Sequence, residues 1–274
     1  MTIRCVEDLD ARTFAVQAWE LVGRDQVLNN VICTLIEAAC AGDGPAGQRW
    51  MRVLAGRELV GVAVQMPPRG PLLSDLPVPA AHALAAHFAG TTGASSVGGP
   101  EGASAAFAGH YAALTGVRVR RGERTRLLRL DRLAPPAGVA GRTREAGPAD
   151  RELILAWMAA AFPAVAPEAI DGRFAHGGLM WFWEVDGEPV SFAWRTPLRG
   201  RERWPRTSVV RMSAVYTPPE RRGRGYASAN VAALSRAALA AGASACMLYA
   251  EPAIGIYERI GYRVVGTADE WFFS

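Results

Sequence analysis

The chain has 274 residues, half of them hydrophobic and a fifth charged, which suits one large or two ordinary domains and excludes a disordered or low-complexity protein. Its formal net charge of +4 comes entirely from arginine, because no lysine is present, and this excludes Schiff-base chemistry and lysine-dependent phosphate loops. Cys5, Cys33, Cys40 and Cys246 are scattered without a C-x-x-C pair or nearby histidines at ligand spacing, so reduced thiols are expected, with no disulfide framework and no metal.

No apolar run approaches the ~18 residues that span a bilayer, and "MTIRCVEDLDARTF" carries acids where a signal peptide needs an apolar stretch. A cytoplasmic protein without a membrane partner is the expectation. The first half opens with a helical stretch from about Ala11 to Ala41, followed by "RWMRVLAGRELVGVAVQM", two strands joined by a turn near Gly56-Arg57. Next comes "PLLSDLPVPAAHALAAHFAG", an Ala-rich helix entered through prolines. In "VRVRRGERTRLLRLDRL" the arginines alternate with Val and Leu, the period-2 pattern of a hairpin turning at Arg121-Gly122-Glu123 with one wet face. The crowding of Arg there, and again at 199, 201, 203 and 206, raises a nucleic-acid surface. The alternation favours a solvated strand face instead, and no nucleic-acid partner is expected.

"LAPPAGVAGR", Leu133 to Arg142, reads as a linker and divides the chain into 1–135, a linker at 136–141, and 142–274. The second half repeats the order of the first. A helical stretch from Ala149 to Phe162 and a shorter one near Glu168–Phe174 precede "LMWFWEVDGEPVSFAWR", two strands with a turn at Asp186-Gly187. Both halves thus read helices, then a meander, then an Ala-rich helix, then strand, short helix and strand, which points to a duplication. The copies differ where chemistry would sit: Gly98-Gly99 before Pro100 is the nearest the first half comes to a glycine-rich anion loop.

In the second half "TSVVRMSAVY" is a buried strand, and in "TPPERRGRGYASANVAALSRAALAAG" the prolines end that strand while the run from Tyr226 to Ala241 forms a helix stopped by Gly242. Gly223 and Gly225 permit a tight turn, so the N–H groups from Gly223 to Ser228 can converge at the helix N-terminus and bind an anion. The spacing is neither a nucleoside-triphosphate loop nor a dinucleotide fingerprint, which leaves the diphosphate of a larger cofactor.

At these residues the chain resembles a known family. Arg222-Gly223-Arg224-Gly225-Tyr226-Ala227 fits the [QR]-x-x-G-x-[GA] motif of the GNAT N-acetyltransferase superfamily, and "AVYTPPERRGRGYA" resembles the strand-to-loop passage of a bacterial two-domain subgroup. "PAIGIYERIGYRVVG" is similar to its last helix and strand through Tyr257, Gly261 and Tyr262. A G-x-G before a helix is often only a helix-entry turn, but two matches in order set that aside. The resemblance implies a mixed α/β fold of two tandem domains, each a mostly antiparallel central sheet flanked by helices, the first degenerate and the second binding acetyl-CoA. It implies cofactor contacts from Val215, Tyr216, Thr217, Arg222, Gly223, Arg224, Gly225, Tyr226, Ala227 and Ser228. Tyr257 is implied as the acid that protonates the departing thiolate, without a covalent enzyme intermediate. Glu184 and Glu251 are the candidate bases. The chain departs from the pattern where an Asn often precedes this tyrosine, for Ala250 and Glu251 occupy that region.

The function expected is acetyl transfer from acetyl-CoA to an amine of a small-molecule or amino-acid-like acceptor, in a monomer or homodimer. The rival is a non-enzymatic acyl-CoA-binding or partner-binding protein. Trp157, Trp181, Trp183, Trp194 and Trp204 could line an acceptor site, although core packing is the better expectation for most of them.

Overall fold

In the computed structural model, which describes residues 2–274 apart from 45, 164, 166, 175–178, 201–202 and 252–253, the first helical stretch divides into α1 (Ala11–Gly23) and α2 (Asn30–Cys40). Asp10 starts α1 by accepting the Thr13 N–H at 2.8 Å. Before it lies β1 (Ile3–Asp8), a strand that the sequence expectation lacks. It pairs antiparallel with β2 (Arg49–Ala55), and Arg52 holds Asp8 through two bonds of 2.7 Å. The meander continues through β3 (Glu58–Gln65) and the short β4 (Pro71–Leu73), followed by α3 (Val78–Ala89), β5 (Ser96–Pro100) and α4 (Glu101–Thr115).

The hairpin expected at Arg121-Gly122-Glu123 is not formed. Val119–Leu130 is one twelve-residue strand, β6. Gly122 serves close approach rather than a turn: a Cβ there would stand 2.5 Å from the Phe272 ring and 3.2 Å from the Glu270 carbonyl. The neighbouring arginines are committed internally. Arg121 and Arg124 both bind Asp269, whose side chain is fully buried, at 2.5 and 3.1 Å, and Arg124 also pairs with Glu101.

After the linker the same element order returns as β7 (Arg142–Glu145), α5 (Arg151–Ala161), α6 (Pro167–Phe174), β8 (Met180–Val185), β9 (Glu188–Arg195), β10 (Val209–Tyr216), α7 (Tyr226–Ala240), β11 (Ala245–Ala250), α8 (Ile254–Glu258) and β12 (Tyr262–Phe273). The β8–β9 turn forms as expected. Asp186 and Gly187 both have positive φ, 52° and 84°, the requirement of a tight hairpin turn.

The chain divides into two compact units: residues up to Leu127 with Gly200–Thr207 and Val265–Ser274, and Leu128–Arg199 with Ser208–Val264. This differs from a division at 136–141, because β6 and β12 each pass from one unit to the other. In the first unit Ala268–Phe272 of β12 pairs antiparallel with β5, a pairing between remote segments that no local pattern announces. The strand order there is β1-β2-β3-β4-β5-β12-β6, with one core under α3 and α4 and another under α1 and α2. The second unit has the order β6-β11-β10-β9-β8-β7, with Val231, Leu234 and Ala238 of α7 on one face and Ile154, Met158 and Ile170 of α5 and α6 on the other. Each unit is thus a mostly antiparallel sheet flanked by helices. Among the described residues no helix is long and apolar enough to cross a membrane.

Candidate active site

The site grows from a defect in the second unit's sheet. β10 and β11 pair in parallel from Val209↔Ala245 only as far as Met212↔Leu248, after which β10 continues to Tyr216 without that partner. On its other side the register against β9 shifts between Ser213 and Tyr216, and Ala214 takes a left-handed φ of 48°. A bulge therefore turns β10 away from its neighbour. Ser191 fixes the turned end by donating to the Tyr216 carbonyl at 3.1 Å, while its own oxygen accepts from the Thr217 hydroxyl at 3.0 Å.

The chain then forms the glycine-arginine loop. Arg222 Nε donates to the Thr217 carbonyl at 3.0 Å, and Gly223 and Gly225 take φ of 78° and 80°, a region that side-chain-bearing residues rarely enter. Gly225 is the N-cap of α7 and no side chain caps the helix, so the first-turn N–H groups point at the loop without a side-chain acceptor. The helix itself is held by the wholly buried Asn230, which donates to the Trp181 carbonyl at 3.2 Å and accepts from Thr143 at 3.3 Å.

A cavity of about 390 Å³ lies between this loop, the end of β10 and α8. Val215, Tyr216, Thr217, Arg222, Gly223, Arg224, Gly225, Tyr226, Ala227, Ser228 and Tyr257 all line it. Sequence reasoning missed three further lining residues, Arg221, Ile256 and Arg259, although each adjoins a motif residue. Four of its lining residues, Arg221, Arg222, Arg224 and Arg259, are arginines, and among the described lining residues none is acidic. A positively charged wall with an uncapped helix N-terminus fits a diphosphate.

Tyr257 is half-buried, its ring 6.3 Å from that of Tyr262, and burial pushes its phenol up to about 12. It therefore keeps its proton at neutral pH. Gly261, the other matched residue, sits at φ 100°, and a Cβ there would fall 1.8 Å from the Arg132 carbonyl. The candidate bases are elsewhere. Glu184 is 7% exposed and bound by Arg144 at 2.5 Å, and Arg144 also grips Asp150 at 2.7 and 2.9 Å. The Asp150 bonds lead in raising the Arg144 pKa. Glu251 is exposed, and neither glutamate lines the cavity. Of the tryptophans, Trp194 is buried, Trp157 and Trp181 pack against the two cores, Trp183 donates to the Ala140 carbonyl at 2.8 Å, and Trp204 is 57% exposed. Trp157 also meets Tyr216, with ring centroids 5.6 Å apart.

Residues 150–262 match the family model described as Acetyltransferase (GNAT) family. An acetyltransferase of the GNAT family from Colwellia psychrerythraea superposes with a TM-score of 0.62 at 11% identity, covering 100% of this chain and 99% of that one. A GCN5-related N-acetyltransferase from Kribbella flavida gives 0.54 at 19% identity over 79% and 88% of the two chains. A tandem GNAT protein from the clavulanic acid biosynthesis pathway gives 0.57 at 12% identity over 98% of each. No curated protein matches the sequence. The likenesses to solved structures show a GNAT fold, and the segment that matches the GNAT family model, residues 150–262, contains both the loop and Tyr257.

Proposed function

We propose that the second unit binds acetyl-CoA in the loop cavity and transfers the acetyl group to an amine of a small-molecule or amino-acid-like acceptor. The observation that supports this reading is the convergence, on one cavity, of the turned end of β10, the glycine-arginine loop and Tyr257. The N–H groups at the start of α7 and the arginines of the loop hold the diphosphate. Val215 and Tyr216, beyond the last β10–β11 pair, offer backbone groups to the pantetheine arm. Acetyl-CoA supplies the activated thioester that the amine attacks. As the N–C bond forms and the C–S bond breaks, Tyr257 gives its hydroxyl proton to the departing thiolate, the amine nitrogen sheds its proton to solvent, and solvent reprotonates the tyrosinate.

Neither glutamate is carried into this proposal as a base, since one is bound by arginine and both lie off the cavity wall. That same observation favours the second reading, an acyl-CoA-binding protein without turnover. A thiol-release assay with acetyl-CoA across a panel of amines separates the two. Release that depends on the amine supports transfer, whereas tight binding of coenzyme A with no release on any amine sinks it.

A further inference from the structure

The segment between β6 and β7, from Asp131 to Gly141, is composed like a slack connector, yet it is fastened along its length to both halves of the candidate site. At its start the Asp131 N–H donates to the Gly261 carbonyl and the Ala134 N–H to the Ile260 carbonyl, each at 3.0 Å, just beyond the helix that carries Tyr257. At its end a methyl group placed on Gly225 would meet Val139 Cγ2 at 3.0 Å, so this valine lies directly on the left-handed glycine of the loop. Two contacts place Val139 there. Trp183 donates its indole N–H to the Ala140 carbonyl at 2.8 Å. Gly141, at φ 109°, packs where a Cβ would fall 2.1 Å from the Glu184 carbonyl, which brings the segment tight against β8.

We propose that residues 131–141 form a strap that fixes the phosphate loop relative to the Tyr257 helix, with Val139 and Trp183 as positioning residues for the acyl-CoA diphosphate. The inference rests on the reading of the cavity as an acyl-CoA site. Its physical basis is preorganisation. A loop built on left-handed glycines has many open conformations, and a side chain braced against Gly225 removes them before the ligand arrives. The brace depends on a hydrogen bond from a different strand, so a residue that lines no part of the cavity acts on the ligand through the strap.

The test is calorimetry with coenzyme A on the full chain, paired with steady-state acetyl transfer. Val139→Ala and Trp183→Phe should each weaken coenzyme A binding about twofold to tenfold, the scale of one net hydrogen bond or one packed methyl pair. KM for acetyl-CoA should rise in step while kcat at saturation stays within about twofold. Val139→Ile should retain the parental affinity, because it keeps the branched contact, and it guards against misreading a variant that folds poorly. A purely structural role would lower the melting temperature of both variants and leave the affinity untouched, which would overturn the proposal. If the parent chain fails to bind coenzyme A, the reading of the cavity falls and the strap with it; if the parent binds and both variants match it, only the strap falls.

Discussion

At the scale of single residues, Tyr257 and Gly225 make opposite kinds of demand. Burial raises the Tyr257 phenol to about 12, so the acid form persists across the working range. A general acid acts only while protonated, so a loss of kcat on the alkaline side caused by this group should begin only above about pH 10, two units below its pKa. Tyr257→Phe keeps the ring beside Tyr262 and removes only the donor; turnover should fall by roughly 10²–10⁴-fold with coenzyme A affinity little changed. Near-normal turnover in the Phe protein would leave the hydroxyl a structural role only. Gly225 is needed for its backbone. A valine there is strained at φ 80° and drives its Cβ to 3.0 Å from Val139, so Gly225→Val should weaken coenzyme A binding by about tenfold or more in calorimetry. Gly223→Ala is the informative contrast: φ is 78°, but its Cβ would meet nothing within 4 Å, so the smaller loss expected there isolates backbone strain from the clash.

Elements that announce themselves by local pattern are those whose causes are local. The β8–β9 hairpin follows from Asp186-Gly187, α7 from an Ala-rich run between Gly225 and Gly242, and the loop from its two glycines. What stayed hidden depends on partners distant in sequence. β1 exists because β2 pairs with it, the bulge at Ala214 because β9 and β11 pull on β10 differently, and the glycine at 122 because Phe272 crosses there. The same holds for Glu184, which looks like an acid near a strand end but belongs to an ion-pair triad joining β7, β8 and the turn before α5. The triad predicts how its members behave. Glu184→Gln keeps one acceptor for Arg144 and should cost about 1–2 kcal/mol in denaturant unfolding, the range for a weakened charge-assisted bond, with kcat little changed. A base would behave in reverse, with turnover collapsing at constant stability. Asp150 adds a pH signature. Its hydrogen bonds to Arg144 lead in lowering its pKa, so its contribution is present above the ordinary carboxylate value near ~3.9 and is lost as pH falls through the depressed one. Arg144→Met should flatten that acid limb of the stability curve.

Across the whole molecule, one order of elements is used twice, and among the described residues only the second copy joins its strand to its helix through paired left-handed glycines. Where the second unit runs from β10 through Gly223 and Gly225 into α7, the first runs from β4 to an α3 whose N-cap is Pro77, with proline in its first turn and no paired glycines. Calorimetry should therefore find one coenzyme A per chain, and two would overturn the asymmetry. The units also fail to respect the order of the chain, which bears on how the protein tolerates cutting. Residues 265–274 belong with the first unit, where Trp271 and Phe273 pack against its core and the fully buried Asp269 carboxylate holds Arg121 and Arg124. Removing them leaves β5 without its antiparallel neighbour and leaves Arg121 and Arg124 with Glu101 in place of the buried Asp269. A chain ending at Val264 should therefore unfold its first unit at lower denaturant concentration and yield early to limited proteolysis between β5 and β6. The fragment 142–274, which keeps β12 but loses both its neighbours, β5 and β6, should aggregate through the exposed edges. Should the chain ending at Val264 melt as the intact protein does, and the 142–274 fragment stay soluble and monomeric, the last strand would be an appendage of the second half and the linker would be the true boundary.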